Sequence, residues 1–176
     1  MLKFIALAVV AALAAVLIAA ATRPDTFVVQ RKTHIAAAPD KVFAQINDLQ
    51  RFNAWNPFNK KDPAVQGRYS GPAAGPGATY EFAGNKDVGR GRLAIAQSTP
   101  SSSVQMKLDM LDPFEAHNDV HFTLAPAAGG TEVTWAMQGP LPYVAKIAHL
   151  FFDMDRMVGR DFEAGLADLK AQAERS

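Results

Sequence analysis

His117, Asp119 and His121 stand at i, i+2 and i+4, so in an extended segment they share one side, and two histidines so spaced can hold a divalent metal with a third ligand. The intervening Val120, Phe122 and Leu124 claim the buried side of the same segment. The histidines therefore face water, and no metal site is expected. Gly84 and Gly89 have the spacing of a phosphate loop, but Arg90-Gly91 stands where Lys and Ser or Thr are required, and a strand follows instead of a helix. This segment reads as a hairpin. Ser98, Ser101, Ser102 and Ser103 form one turn-like cluster without the G-x-S-x-G context that would make a serine a nucleophile. For general acid or base work the ionisable side chain on the inward parity is Tyr80, whereas Glu81 and Asp109 have outward parity. No carboxylate pair or histidine dyad emerges, so no catalytic residue and no cofactor are assigned.

What remains is apolar contact. Strand alternation turns Tyr80 and Phe82, then Met106, Leu108 and Met110, then Phe122 and Trp135 to one side, and helical periodicity adds Phe151, Met154 and Phe162. Flexible methionines beside broad aromatic rings suit the lining of a pocket for apolar ligands. The same residues could instead fill a core at native density. Trp55 and Phe58 sit in a stretch with Pro57 and Pro63 that reads as neither helix nor regular strand. They complete the ligand-binding set, either gating a mouth or plugging the core edge.

The elements that must position these residues follow from pattern. Leu141 to Ala173 places Ile147, Phe151, Met154, Val158, Phe162, Leu166 and Leu169 at steps of three and four, with Asp153, Arg156, Arg160, Glu163, Asp168 and Lys170 opposite. That predicts one amphipathic helix of about 45 Å, which needs a broad apolar surface to lie on. Thr26 to Ile35 is rich in β-branched residues and reads as a first strand. A short helix opens at Pro39-Asp40, and a second holds Leu49 and Phe52. Glycine-rich turns between Gly67 and Gly91, then three alternating segments at 104–110, 119–124 and 133–137, predict antiparallel strands wetted on one side. The expected class is α+β: a curved antiparallel sheet of about seven strands around a long C-terminal helix, with two short helices after the first strand.

Lys and Arg number 18 against 17 Asp and Glu, a formal net charge of +1 that gives no basic face for nucleic acid. There is no cysteine, which excludes disulfides, thiolate metal sites and a lipid-modified cysteine. Phe4 to Ala21 is apolar without a charge, glycine or proline, and would span about 27 Å as a helix, near the thickness of a bilayer core. Lys3 before it and Ala19, Ala20 and Ala21 at its end also fit a cleaved signal peptide, although the run is long for one. Residues 1–22 are therefore expected to form a membrane anchor or signal, and residues 23–176 one domain. The charges flanking the segment leave orientation open; its place at the start favours an extracytoplasmic (periplasmic) domain on a single-pass anchor.

Ile35-Ala36-Ala37-Ala38-Pro39-Asp40-Lys41-Val42-Phe43, Trp55-Asn56-Pro57-Phe58, Gly75-Pro76-Gly77-Ala78-Thr79-Tyr80, Gly130-Thr131-Glu132-Val133-Thr134-Trp135 and Gly159-Arg160-Asp161-Phe162 occur in an order and spacing that resembles the START-like superfamily, specifically its polyketide cyclase and dehydrase-like (SRPBCC) branch. The likeness covers Thr26 to Ala173. It implies a helix-grip (START/Bet v 1-like) fold with an apolar cavity between sheet and closing helix for a lipid, sterol, polyketide or similar molecule. The expectation is thus a membrane-anchored binder or carrier of a hydrophobic small molecule. The alternatives are a cyclase- or dehydratase-like enzyme and a packed interaction module without ligand.

Overall fold

The computed structural model describes residues 1–175; Ser176, the last residue of the expected domain, lies outside them. The chain runs α1 (Leu2–Ala21), β1 (Thr26–Ile35), α2 (Pro39–Ile46), α3 (Leu49–Trp55), α4 (Pro57–Lys60), β2 (Gln66–Ser70), β3 (Thr79–Ala83), β4 (Arg90–Thr99), β5 (Ser103–Asp112), β6 (Ala116–Ala127), β7 (Gly130–Pro140), α5 (Tyr143–Ala148) and α6 (Met154–Ala173). The strands form one seven-stranded antiparallel sheet in the order β1-β7-β6-β5-β4-β3-β2. The first strand pairs with the last, so the α2–α4 segment must cross one face to reach the far edge.

Period-two patterning sets the inner face. Val29, Met137, Val120, Met106 and Ile95 stand in one row across five strands, and Arg31, Trp135, Phe122 and Val104 in the next. Helix α6 lies over these rows, and α2 and α3 add Val42, Ile46, Leu49, Phe52 and Trp55 to the same core. Pro39 at the first turn of α2 and Asp48 at the cap of α3, whose carboxylate accepts from the Gln50 and Arg51 amides, start these helices. The expected irregular stretch around Trp55 is instead helical. Helix α3 runs through Trp55, and the Asn56 side chain accepts from the Phe58 amide to start the single turn of α4 at Pro57.

The predicted continuous terminal helix is broken. Helix α5 ends at Ala148, and α6 begins only at Met154 because Asp153 leaves helical geometry and accepts from the Arg156 amide at 2.9 Å. An aspartate read as part of a wetted helix face is an N-cap. Adjacent Phe151 and Phe152 cannot both face the sheet from one helix, and both are exposed in the intervening turn. Phe151, expected inward, is 70% exposed.

Helix α1 stands apart. Lys3–Ala21 is long and apolar enough to cross a membrane and is only 6% buried. Its last turns touch α5: Ala20 is buried, and the Tyr143 hydroxyl donates to the Leu17 carbonyl at 2.7 Å.

Helix α6 approaches the sheet closely. A Cβ at Gly165 would lie 2.8 Å from both Pro57 Cδ and Trp135 Cζ3. Alanine at this position gains about 1 kcal/mol of helix propensity, but overpacking against two ring systems costs about 1–3 kcal/mol. Gly165→Ala should therefore lower the midpoint of urea unfolding; a midpoint at or above the parent's would show that α6 has room to spare.

Candidate functional site

Beneath the middle of α6 the interior is filled. The Phe162 ring stacks on Trp135 with centroids 4.0 Å apart and planes 8° from parallel. Phe52, Trp55 and Phe122 pack edge-on or tilted around that pair at 4.7–6.4 Å. Trp55 is wholly buried, with its Nε1 donating to the Gln45 carbonyl at 3.0 Å, and packs as part of the core. Met106 and Tyr80 are also buried, while Phe58, Phe82, Leu108 and Met110 are half-buried toward the β3–β5 side. Most of the expected lining thus forms a packed centre, because glycines at the helix–sheet contact bring α6 down onto the rings.

Open space lies at the end of the grip. A groove of about 570 Å³ is bounded by the start of β1, the α5–α6 turn and the segment leaving α1. Phe27, Val29, Leu141, Leu150, Phe152 and Met154 supply its apolar walls, and Arg23, His149, Asp153 and Asp155 its polar ones. Of the residues expected to contact ligand, Phe151 and Met154 reach this groove. His149, Leu150, Phe152, Asp153 and Asp155 of the groove were missed because periodicity assumes an unbroken helix. The Phe-Phe-Asp run at 151–153, an aromatic pair followed by a capping residue, was the signal available. A smaller hollow of about 190 Å³ lies at the β2–β3 edge beside Leu49, Tyr69 and Ala78.

A family profile described as polyketide cyclase / dehydrase and lipid transport matches residues 26–174. The chain belongs to this family. Among curated proteins no sequence matches it. Protein CV1439 from Chromobacterium violaceum is similar in structure with a TM-score of 0.59 at 16% identity, over 86% of this chain and 99% of that one. Ara h 8.0201 superposes with a TM-score of 0.58 at 12% identity, over 86% and 99%. The di-domain ARO/CYC StfQ from the steffimycin biosynthetic pathway gives 0.61 at 14% identity, over 85% of this chain and 52% of StfQ. These likenesses share the fold: a curved antiparallel sheet gripping a C-terminal helix, as the sequence pattern predicts. The family's fold supports a hydrophobic ligand-binding or cyclase-like role.

In this polyketide cyclase/dehydrase-like chain Asp155, one of the polar walls of the groove, is held by Arg31, which projects from the inner face of β1. Its guanidinium meets both carboxylate oxygens of Asp155 at 3.0 and 3.1 Å, the Asp155 carbonyl at 3.0 Å and Glu163 at 2.8 Å. Gly159 leaves the space it occupies, since a Cβ there would overlap the guanidinium. The hydrogen bonds from Arg31 hold the Asp155 carboxyl below its ordinary value and raise Arg31 in turn. Lys146, nearly buried, pairs with Asp25 at 2.6 Å and lowers that carboxyl, first by hydrogen bonding and then by its charge. Asp153 is occupied as a cap. Burial chiefly raises the Tyr80 hydroxyl, with Tyr69 adding to the shift and a bond from Asn59 opposing it, so it stays protonated at neutral pH. Tyr80 lies away from the groove.

The outward groups are paired along the sheet. Glu81 binds Arg68 at 2.7 Å, Asp119 binds Lys107, and His117 Nδ1 meets Asp109 at 2.7 Å. Among the described residues no group of three metal-binding side chains converges. Trp135 Nε1 and Asn118 Oδ1 are buried on the inner face without a hydrogen-bond partner among the described residues. Leaving such a group unmet costs about 1–3 kcal/mol.

Hydrogen bonding to Asp109 raises the His117 imidazole above its ordinary 6.5. A raised folded-state pKa contributes stability that is complete below the unfolded value and fades as pH rises through the folded one. NMR titration should give a His117 midpoint above 6.5. Asp109→Asn should return it toward the free-imidazole value; an unchanged midpoint would remove Asp109 as the cause.

Proposed function

We propose that this protein binds and carries a hydrophobic small molecule, lipid- or polyketide-like, while tethered to a membrane by α1, with residues 23–176 as the binding domain. The observation that carries this reading is the groove of about 570 Å³ at the start of β1, lined by both apolar and polar side chains. Its size falls within the range of small-molecule sites, and a lining that mixes apolar and polar side chains suits a ligand with an oily body and a polar head. Family membership supports the same ligand class. The length, apolar character and low burial of α1 favour an anchor over a core helix. The proposal places the domain on the extracytoplasmic side.

Arg23 and His149 line the same groove and offer polar contact to such a head. Phe151 and Met154 provide adaptable apolar contact, and Leu141 and Leu150 close the walls. The packed centre contributes rigidity: Trp55, Phe122, Trp135 and Phe162 hold the sheet while the groove binds.

The carrier reading is tested on full-length protein extracted in mild detergent. Native mass spectrometry should show lipid-like adducts, and Leu150→Trp, which fills the groove from an only half-buried position, should remove them while leaving circular dichroism unchanged. The same variant should weaken binding of a fluorescent fatty acid about tenfold or more, which is about 1.4 kcal/mol. Bare polypeptide mass throughout, or full binding by the filled variant, would overturn the assignment.

A further inference from the structure

The exposed apolar side chains are not scattered. Thr26 pairs with Pro140, Asp119 with Gln138 and Met110 with Ala116, so the start of β1, the end of β7 and the β5–β6 hairpin share one end of the sheet. Leu111 and Phe114 project from that hairpin, Val144 from α5, Phe151 and Phe152 from the α5–α6 turn, and Met157 from the first turns of α6. Phe114 is 81% exposed and Val144 78%. Apart from Tyr69 on β2, the exposed large apolar residues outside α1 all belong to this end among the described residues. The opposite end, at the β4–β5 and β6–β7 turns, carries Pro100, Ser101, Ser102, Ala128 and Gly129. Soluble surfaces seldom gather apolar groups in this way without a partner.

The chain itself names the partner. Helix α1 joins β1 through Thr22 to Asp25, a reach of at most about 14 Å. Its last turns rest on α5 through Tyr143 and Ala20. With α1 across a bilayer, this short link holds the apolar end of the sheet at the membrane surface. Apolar faces seated in this way lie about 5–10 Å into the boundary between headgroups and acyl chains.

We propose that this end of the protein lies on the bilayer holding α1, with the Leu111–Phe114 hairpin tip and the Phe151–Phe152 turn inserted at the interface. The groove, bounded by that turn and by Arg23, then opens toward one leaflet. A ligand reaches it from the membrane without crossing water. The inference rests on the reading of α1 as an anchor, and the experiment separates the two.

The absence of native cysteine makes single-site labelling clean. Leu13→Cys, Phe114→Cys, Phe152→Cys and Ser102→Cys in the full chain are each labelled with an environment-sensitive NBD fluorophore and reconstituted into vesicles of phosphatidylcholine and phosphatidylglycerol. The substituted side chains at 114, 152 and 102 are exposed, so the fold is retained. The labels at 114 and 152 should be blue-shifted, quenched by a headgroup-level lipid nitroxide and protected from iodide, while the Ser102 label stays open to iodide. Lipid quenching at Leu13 with iodide access at 114 and 152 overturns the docking surface and leaves the anchor standing. Iodide access at Leu13 overturns both. Protection of 152 from both quenchers would place a second copy of the chain there and also overturn the proposal.

Discussion

Gly165 leaves nothing between α6 and the Trp135 indole, and Phe162, one turn earlier, lies flat on that indole at 4.0 Å. Glycine in a helix interior is unfavourable by roughly 1 kcal/mol relative to alanine, and α6 carries two on its buried side, Gly159 and Gly165. The close approach they permit buries aromatic rings from the sheet, α3 and α6 in one cluster, and burying a large apolar side chain contributes about 1.5–3 kcal/mol each. The exchange favours a solid centre. A helix held this close cannot roof a large chamber at mid-sheet, and the groove of about 570 Å³ lies instead where the chain departs from the sheet.

That departure is set by polar contacts. Arg31 reaches from β1 to α6, clasping Asp155 with two nitrogens and Glu163 with a third in the space left by Gly159. A planar guanidinium can satisfy both carboxylates at once, which a lysine ammonium at this position could not do with the same geometry. The clasp fixes the first turns of α6, the Asp153 cap fixes its starting residue, and the preceding chain must then swing out through Leu150, Phe151 and Phe152. The groove is the space enclosed by that swing. Its position follows from a salt bridge and a cap, and its apolar walls from the residues the swing happens to carry.

Strand periodicity located β5, β6 and β7 and the inward side of each, since alternation of Val120, Phe122 and Leu124 with His121 and Thr123 has one solution against a core, whereas β1 was legible from its β-branched content alone. The proline-started α2 was equally legible. The terminal helix was not, because Ile147, Phe151, Met154 and Val158 keep a helical spacing across a break that only the Asp153 cap reveals. Helix spacing also says nothing of distance from the sheet. Gly159 was read as a family motif residue, and the bearing of Gly159 and Gly165 on close approach depends on partners, Arg31 and Pro57, that are far away in sequence. The groove was therefore invisible for a physical reason: it is made by contacts between segments whose separate patterns are complete without it.

Core and groove are also unequal in what holds them. Helix α6 buries Phe162, Leu166, Leu169 and Ala173, whereas α5 buries a single residue, Lys146, whose partner Asp25 is exposed. Elements with few buried apolar contacts open at lower free energy than the core they adjoin. The wall formed by α5 and the 149–153 turn can thus move without disturbing the Trp135–Phe162 stack or the Arg31 clasp. Separation of this kind leaves the residues of the groove free to vary while the grip of sheet on helix persists.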